Sequence, residues 1–347
     1  MTECALPMQV EVFRSITSLD EQSLTIDAFR NFFEGKLRCR PNTRRAYERS
    51  AALFFHYAHA QMGLSVLHDV RPYHISAWLD AMTASGLSSP TVKQRLAALN
   101  SLFHSLLRQQ VIITNPVRLV TGPSHKIDKG RTPVLSGDEM VQLFDAIDTT
   151  TLIGKRDRAM IGTMAYSFAR IGAVTNLKVE HVFHQKRRLW LRLLEKGGKA
   201  KDIPCHHQLE NYLDEWLGAA ELRGQPNAPL FQSFARKGRR TAVEIDGNLE
   251  DGTQDKAARI VRPLSGNPMT QAMTWEMLQR RKKQAGLDTA ICNHTFRATG
   301  ITAYLTHGGA IERAANIAGH ASINTTKIYD RRSDDVTLEE IEKIRFA

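Results

Sequence analysis

Six residues in the second half of the chain combine cationic, imidazole and phenolic side chains at readable spacings: Arg170, Lys196, His294, Arg297, His320 and Tyr329. His294 and Arg297 stand at i and i+3 of a predicted helix, so they share a face. His320 follows Gly319, and Tyr329 comes nine residues later, beyond a short polar helix over Asn324 to Lys327. Arg170 ends a predicted helix just before Ile171-Gly172, and Lys196 sits in a predicted hairpin turn. Such a set binds anionic oxygens, offers groups that exchange protons, and carries one phenol. Taken singly, an H-x-x-R pair is ordinary on a helix surface, and a tyrosine near a C-terminus is ordinary in a core or at its rim. Other chemistries are set aside. Lys196-Gly197-Gly198-Lys199 lacks the spacing and the Ser/Thr of a phosphate-binding loop. Cys205-His206-His207 and Cys292-Asn293-His294 are too cramped to supply four zinc ligands. No G-x-S-x-G elbow is present and no carboxylate pair stands out. The sequence thus calls for no metal and no cofactor.

The composition narrows the partner. The chain has 347 residues, 42% hydrophobic and 24% charged, which is globular and excludes fibrous and disordered classes. Lys plus Arg is 47 and Asp plus Glu is 36, a formal net charge of +11. That balance points to a polyanion, nucleic acid before a membrane surface. No apolar stretch approaches the roughly 18 residues a membrane span needs. Met1 to Pro7 carries an acid and no basic run, unlike a signal peptide. Cys4, Cys39, Cys205 and Cys292 are scattered and read as free thiols in a reducing compartment. A cytoplasmic, nucleoid-associated location is therefore expected.

The elements that must position the six residues fall into two groups, as the length suggests. Residues 1–20 show no periodicity and are expected to form a loose arm. Residues 21–113 carry four amphipathic helices. Thr25 to Leu37 places Ile26, Phe29, Phe32 and Phe33 on one face. Asn42 or Thr43 is expected to cap a long helix bearing Tyr47, Leu53, Phe54 and Tyr57. Pro72 opens a third helix with Ile75, Trp78, Leu79 and Met82, and Gly86 closes it. Ser89 and Pro90 read as the N-cap and N1 of a fourth, with Val92, Leu96, Leu99, Leu102, Phe103 and Leu106. Residues 114–134 hold Pro116, Gly122, Pro123, Gly130 and Pro133 among basic side chains, predicting an extended linker that crosses DNA. In residues 135–335, Ser136, Asp138 and Glu139 open a helix, and a longer one runs from about Leu152 to Ala169. Arg187 to Leu194 and Lys201 to Cys205 form a hairpin about Gly197-Gly198. A further helix carries Leu209, Tyr212, Leu213 and Trp216. Arg236 to Arg262, first basic and then acidic, reads as an irregular insertion. Short helices separated by Gly308-Gly309 and Gly319 follow. The predicted fold class is mainly α: an all-helical domain, then a mixed α/β, mostly helical domain with a small antiparallel sheet.

The motifs together resemble the tyrosine recombinases, the phage integrase family. His294-Thr295-Phe296-Arg297 matches the family's H-x-x-R box, and Gly319-His320 with Ile328-Tyr329-Asp330 matches its G-H…Y box. Phe168-Ala169-Arg170-Ile171 stands at the family's first arginine, with Asp157 in the usual run before it. Glu195-Lys196-Gly197-Gly198-Lys199 resembles its lysine turn. The motifs span about residues 135 to 335. Ser89-Pro90-Thr91-Val92 and Arg95-Leu96 extend the likeness, more weakly, to residues 20 to 115, which resemble a SAM-like core-binding domain. Ala173 and Ala298 stand where many members have an acid and a second histidine.

That resemblance implies a reaction. Tyr329 would attack a DNA phosphodiester and conserve its energy as a covalent ester. Arg170 and Arg297 would hold the non-bridging oxygens, helped by His320. His294 would accept the phenol proton, and Lys196 would protonate the leaving 5′-oxygen. The guanidiniums replace a metal. Duplex DNA would meet Arg44, Arg45, Lys93 and Arg95 in the first domain and Lys126, Lys129 and Arg131 in the linker. Residues 36–49 hold six basic side chains against Glu48 alone. A relaxing topoisomerase with the same chemistry, a regulator that has lost catalysis and an RNA-binding protein are the alternatives. The helical first domain, the full set of six residues and the lack of an aromatic sheet motif speak against each in turn. Residues 336–347 alternate Val336, Leu338, Ile341, Ile344 and Phe346 with charged residues, and Thr337 with Glu340 forms a capping-box pattern. This helix is expected to dock in cis or, as the resemblance implies, to be exchanged between protomers of a tetramer on two DNA sites.

Overall fold

The structure is a computed structural model that describes residues 22–38, 40–124, 130, 132–194, 200–235, 241–243, 259–261, 263–330 and 341–342. The chain divides into two compact units, Met1–Lys126 and Ile127–Ala347. Among the described residues no helix is long and apolar enough to cross a membrane. The architecture is mainly helical with small antiparallel sheets.

In the first unit, α1 (Gln22–Arg30) runs on into a π-helical turn over Asn31–Lys36. The single helix expected over Thr25 to Leu37 thus widens in its second half, which buries Phe32 and Phe33. Helix α2 (Pro41–Met62) begins before the expected caps Asn42 and Thr43, because Pro41 opens the first turn and Arg40 is the N-cap; a proline there sacrifices no intrahelical bond. Gly63 closes it at φ 65°. Helix α3 (Pro72–Ala84) follows the sequence pattern. Helix α4 (Ser89–Arg108) takes Ser88, not Ser89, as its N-cap. The four pack on an aromatic core of Phe29, Phe32, Phe33, Phe54, Phe55, Trp78 and Phe103. Phe54 meets Trp78 at 5.3 Å and Phe103 at 6.4 Å, both edge-on. Burying each such ring contributes about 1.5–3 kcal/mol. The first part of the expected linker belongs to this core. Pro116–Leu119 forms a 3₁₀ turn with Val117 buried, held by Asn115 Oδ1, which accepts from Val117 N–H at 3.0 Å. Two buried apolar residues outweigh the pattern of helix breakers here.

In the second unit, α5 (Gly137–Asp145) opens with the expected box, Glu139 N–H donating to Ser136 Oγ and Ser136 N–H to Glu139 Oε2. Helix α6 (Leu152–Ser167) stops two residues before the expected end, because Phe168 is left-handed at φ 54°. Helix α7 spans Ile171–Thr175. Strands β1 (Val182–Gln185), β2 (Arg188–Leu194) and β3 (Ala200–Pro204) make an antiparallel sheet with Val182 opposite Leu191 and Leu191 opposite Ile203. Alternation in β2 buries Leu189, Leu191 and Leu193. Strand β1 was not foreseen; four residues are too few to display a period. Helix α8 (His207–Ala219) covers the core with Leu209, Leu213 and Trp216. The supposed irregular insertion, Arg236 to Arg262, contains an antiparallel pair, β5 (Thr241–Val243) with β6 (Arg259–Val261), and is flanked by a second, β4 (Gln232–Phe234) with β7 (Leu264–Pro268). Helix α9 (Gln271–Ala285) escaped the sequence analysis, because Met273 and Trp275 are exposed on it and blur its apolar stripe. Helices α10 (Thr295–Thr306), α11 (Ile311–Ile317) and α12 (Ile323–Lys327) end the unit around Phe168, Ile301, Leu305, Ala314 and Ala318. Of the expected C-terminal helix only Ile341 and Glu342 are described, and both are exposed.

Candidate active site

Helix ends build this site. Arg297, early in α10, is 1% exposed, an extreme burial for a guanidinium. It donates from Nη1 to the carbonyl of Phe168, and from Nη2 to the carbonyl of Ala318 at 2.6 Å and to His320 Nε2 at 2.6 Å. Phe168 is the C-cap of α6 and Ala318 the C-cap of α11. The last carbonyls of a helix lack intrahelical partners and carry its negative dipole end. Two such ends compensate the buried cation. Gly300 lets α10 approach closely enough: a Cβ there would lie 2.0 Å from the Ala165 carbonyl oxygen and 2.8 Å from the Phe168 ring.

Arg170 is half-buried at the N-cap of α7 rather than at the end of the preceding helix. His294 is the N-cap of α10 and is exposed at the rim. His320 follows Gly319, whose φ of 61° turns the chain out of α11. Its ring stacks on Tyr329 at 5.8 Å with planes 11° apart. Five of the six expected residues therefore lie on elements that converge, and the charges of Arg170 and Arg297 act on both histidines. Lys196 lies outside the described residues, between strands that end at Leu194 and resume at Ala200.

Loss of hydration, then Arg297 and Arg170, holds the His294 pKa below the usual histidine value. The same causes in the same order push His320 down to about 4. Both rings are thus neutral near pH 7. Hydrogen bonding makes the same point for His320, since a guanidinium only donates and Nε2 must therefore accept.

The segment around Tyr329 is fixed by its backbone. Tyr329 N–H donates to the Thr326 carbonyl at 2.9 Å, Thr302 Oγ1 donates to the Tyr329 carbonyl at 2.9 Å, and Gly130 N–H donates to the Ile328 carbonyl at 2.9 Å. Lys201 Nζ on β3 donates to Asn316 Oδ1 on α11 at 2.8 Å, tying the hairpin's base to the helix before His320. Thr302, Thr326 and Asn316 thus support the site although no sequence motif marks them. Thr326, between His320 and Tyr329, lies fully buried.

Asp157 also has a place. Its carboxylate is completely buried and accepts from Arg156 Nη2 at 2.7 Å, Arg281 Nε at 2.9 Å and Arg280 Nη2 at 3.2 Å. Arg156 donates onward to the Gln232 carbonyl and lies over the Phe234 ring. One buried acid thus joins α6, β4 and α9. Ala173 and Ala298 are buried too, so no polar group stands at those positions.

The residues expected to meet DNA in the first unit are differently disposed. Lys93 is exposed. Arg45 is exposed and donates to Asn42. Arg44 is engaged by Glu48 at 2.7 Å and Glu34 at 3.8 Å. Arg95 is half-buried and donates to Met82 Sδ; burial, then the neighbouring charge of Arg49, lowers its pKa. Arg49 thus joins the basic set through its proximity to Arg95. Lys126, Lys129 and Arg131 lie outside the described residues. Among the described residues no cluster of three or more His, Cys, Asp or Glu could hold a metal ion.

Family models match both units: the phage integrase family over residues 133–335, and the phage integrase N-terminal SAM-like domain over residues 26–110. The chain belongs to the phage integrase family. It is similar to a tyrosine recombinase XerD of Listeria monocytogenes serotype 4b (strain F2365), with 25% identity over 88% of this chain and 92% of the relative. A XerD of Pseudomonas putida KT2440 is 26% identical over 83% and 86%. Among solved structures, the XerH site-specific recombinase on a palindromic difH substrate shares the fold with a TM-score of 0.63 at 16% identity, covering 96% of this chain and 93% of that one. A lambda integrase tetramer on a Holliday junction gives 0.58 at 15% identity, covering 93% and 84%.

Proposed function

We propose that this protein is a site-specific recombinase that cuts and rejoins duplex DNA through a covalent 3′-phosphotyrosyl ester on Tyr329, with neither metal nor nucleotide. The observation that carries the proposal is the set of direct contacts linking Arg297, His320 and Tyr329 within reach of the charge of Arg170. Tyr329 Oη attacks the scissile phosphorus as the bond to the 5′-oxygen breaks. Arg170 and Arg297 stabilise charge on the non-bridging oxygens. His294, neutral at pH 7, accepts the phenol proton, and Lys196 gives one to the departing 5′-oxygen. Attack by a 5′-hydroxyl of a second strand reverses the step and frees Tyr329.

Duplex DNA is the substrate, gripped by basic residues including Lys93, Arg95, Lys126, Lys129 and Arg131. The working form is a tetramer on two sites, in line with the lambda integrase tetramer on a Holliday junction. The nucleoid is the place of action.

A test uses nicked duplexes selected by binding from DNA flanking the gene. The wild type should leave protein-linked DNA on a denaturing gel, and Tyr329→Phe should bind equally and leave none. An adduct in the Phe variant moves the nucleophile elsewhere, with Tyr304 next to be tried. A wild type that forms no adduct on any selected duplex overturns the proposal. Lys196→Ala should cleave slowly, yet recover with a 5′-bridging phosphorothiolate, whose leaving group needs no acid. Absence of that rescue would reassign the proton donor to Lys199 or Lys201.

A further inference from the structure

The geometry points to Thr326 as a positioning residue that fixes the tautomer of His320, so that Nε2 and not Nδ1 is the nitrogen that gains or loses a proton beside the phosphate. Its functional consequence rests on the recombinase reading; the tautomer assignment does not.

Three other buried threonine hydroxyls return to carbonyls of their own helices. Thr163 donates to Ala159, Thr175 to Ile171, and Thr274 to Thr270. Thr326 is 0% exposed and instead faces His320 Nδ1 at 2.8 Å. On the other side of the ring, one Nη2 hydrogen of Arg297 points at Nε2 at 2.6 Å, while its second is taken by the Ala318 carbonyl. Arginine offers no acceptor, so Nε2 presents its lone pair. A neutral ring must then carry its hydrogen on Nδ1 and donate it to Thr326 Oγ1. The opposite tautomer would set an N–H against the guanidinium and leave Nδ1 facing the hydroxyl as an acceptor.

When the ring takes up a proton beside a phosphate oxygen, the proton enters at Nε2 and the Arg297 Nη2 hydrogen must leave that nitrogen for the phosphate, while Nδ1–H stays on Thr326. The same residue accepts from Tyr329 N–H through its carbonyl. Thr326 therefore fixes both the ring's proton and the nucleophile's backbone.

The test labels histidine with ¹⁵N in the full chain and assigns the His320 signals by their loss in His320→Asn. Long-range proton–nitrogen correlations at pH 7 should show Nδ1–H in the wild type and in Thr326→Ser. Thr326→Val, which keeps the buried shape and removes the acceptor, should shift the ring towards Nε2–H. Single-turnover cleavage should fall about tenfold in the Val variant, the scale of one hydrogen bond, and stay near wild type in the Ser variant. DNA affinity should be unchanged in both. Nε2–H in the wild type overturns the inference with no variant needed, as does a Val variant with wild-type tautomer and rate. Because the tautomer is read without DNA, a wild type that forms no adduct would sink the recombinase reading and leave this assignment in place.

Discussion

The two units keep their polar groups in different places. In the first, the only buried polar residues among those described are Ser50, His74 and Asn115, each satisfied within its neighbourhood. The remaining interior is aromatic and aliphatic. The second unit buries Arg156, Asp157, Gln232, Arg281, Arg297 and several threonines. Burying a charge carries a large desolvation penalty unless it is paired or hydrogen-bonded. A unit that only grips a partner can leave its charges in water and pack its core for stability alone. On the proposed reading, a unit that acts on a phosphate holds cations beneath the surface, and its fold supplies their partners. The carbonyls of Phe168 and Ala318 do this for Arg297, and Asp157 does it for Arg156 and Arg281.

The sharpest break of this contrast is at the two arginines. Arg297→Ala and Arg170→Ala should each slow cleavage by at least about 10²-fold, the usual loss of a preorganised transition-state donor. Arg297→Ala should also lower stability by about 2–4 kcal/mol, since two helix-end carbonyls lose their donor. Arg170→Ala, at a half-buried position, should melt close to wild type. Equal melting losses would remove the distinction between a buried and a rim cation.

The next effects compare the cores directly. Asp157→Ala leaves two buried guanidiniums without their acid and should cost about 3–5 kcal/mol. Phe54→Ala should cost a similar 3–5 kcal/mol, roughly, through a cavity in the aromatic core. Hydrogen exchange should place the first loss within residues 137–330 and the second within residues 22–120. Spread of either loss across both units would contradict two separate interiors.

The smallest effect is in pH. The native His320 pKa, about 4, lies below its unfolded value. Between roughly pH 6.5 and that value the unfolded state binds more protons, so stability falls as pH drops through this window and levels off below it. Denaturant titrations should show a shallower slope in His320→Asn. An unchanged slope would mean that His320 is not held neutral.

Much of this was legible in advance, for definite reasons. Long amphipathic helices declare themselves, and α3 and α4 place their apolar residues as their spacing predicts. The residues of the H-x-x-R and G-H…Y boxes have local spacing, so a pattern in the chain could reveal them. Asp157 could not reveal its partners, because Arg280 and Arg281 lie 123 and 124 residues away. Helix α9 hid behind its exposed Trp275, and the end of α6 behind a left-handed Phe168 that no glycine announced. Thr326 looked like any polar residue in a surface helix; its burial arises only when α12 folds against the His320 ring.

Gly300 contributes no functional group, yet it sets a tight tolerance beside Arg297. The gap it keeps between α10 and α6 is smaller than a methyl group, and Arg297 rides on the same helix three residues away. Any larger side chain would lift the arginine from the Phe168 carbonyl before it touched the chemistry. A library that diversifies α10 in search of new target sequences would therefore forfeit its members at this one position, however good their other changes. For an engineer, residue 300 is part of the ruler with which the site is measured, and is best left out of the search.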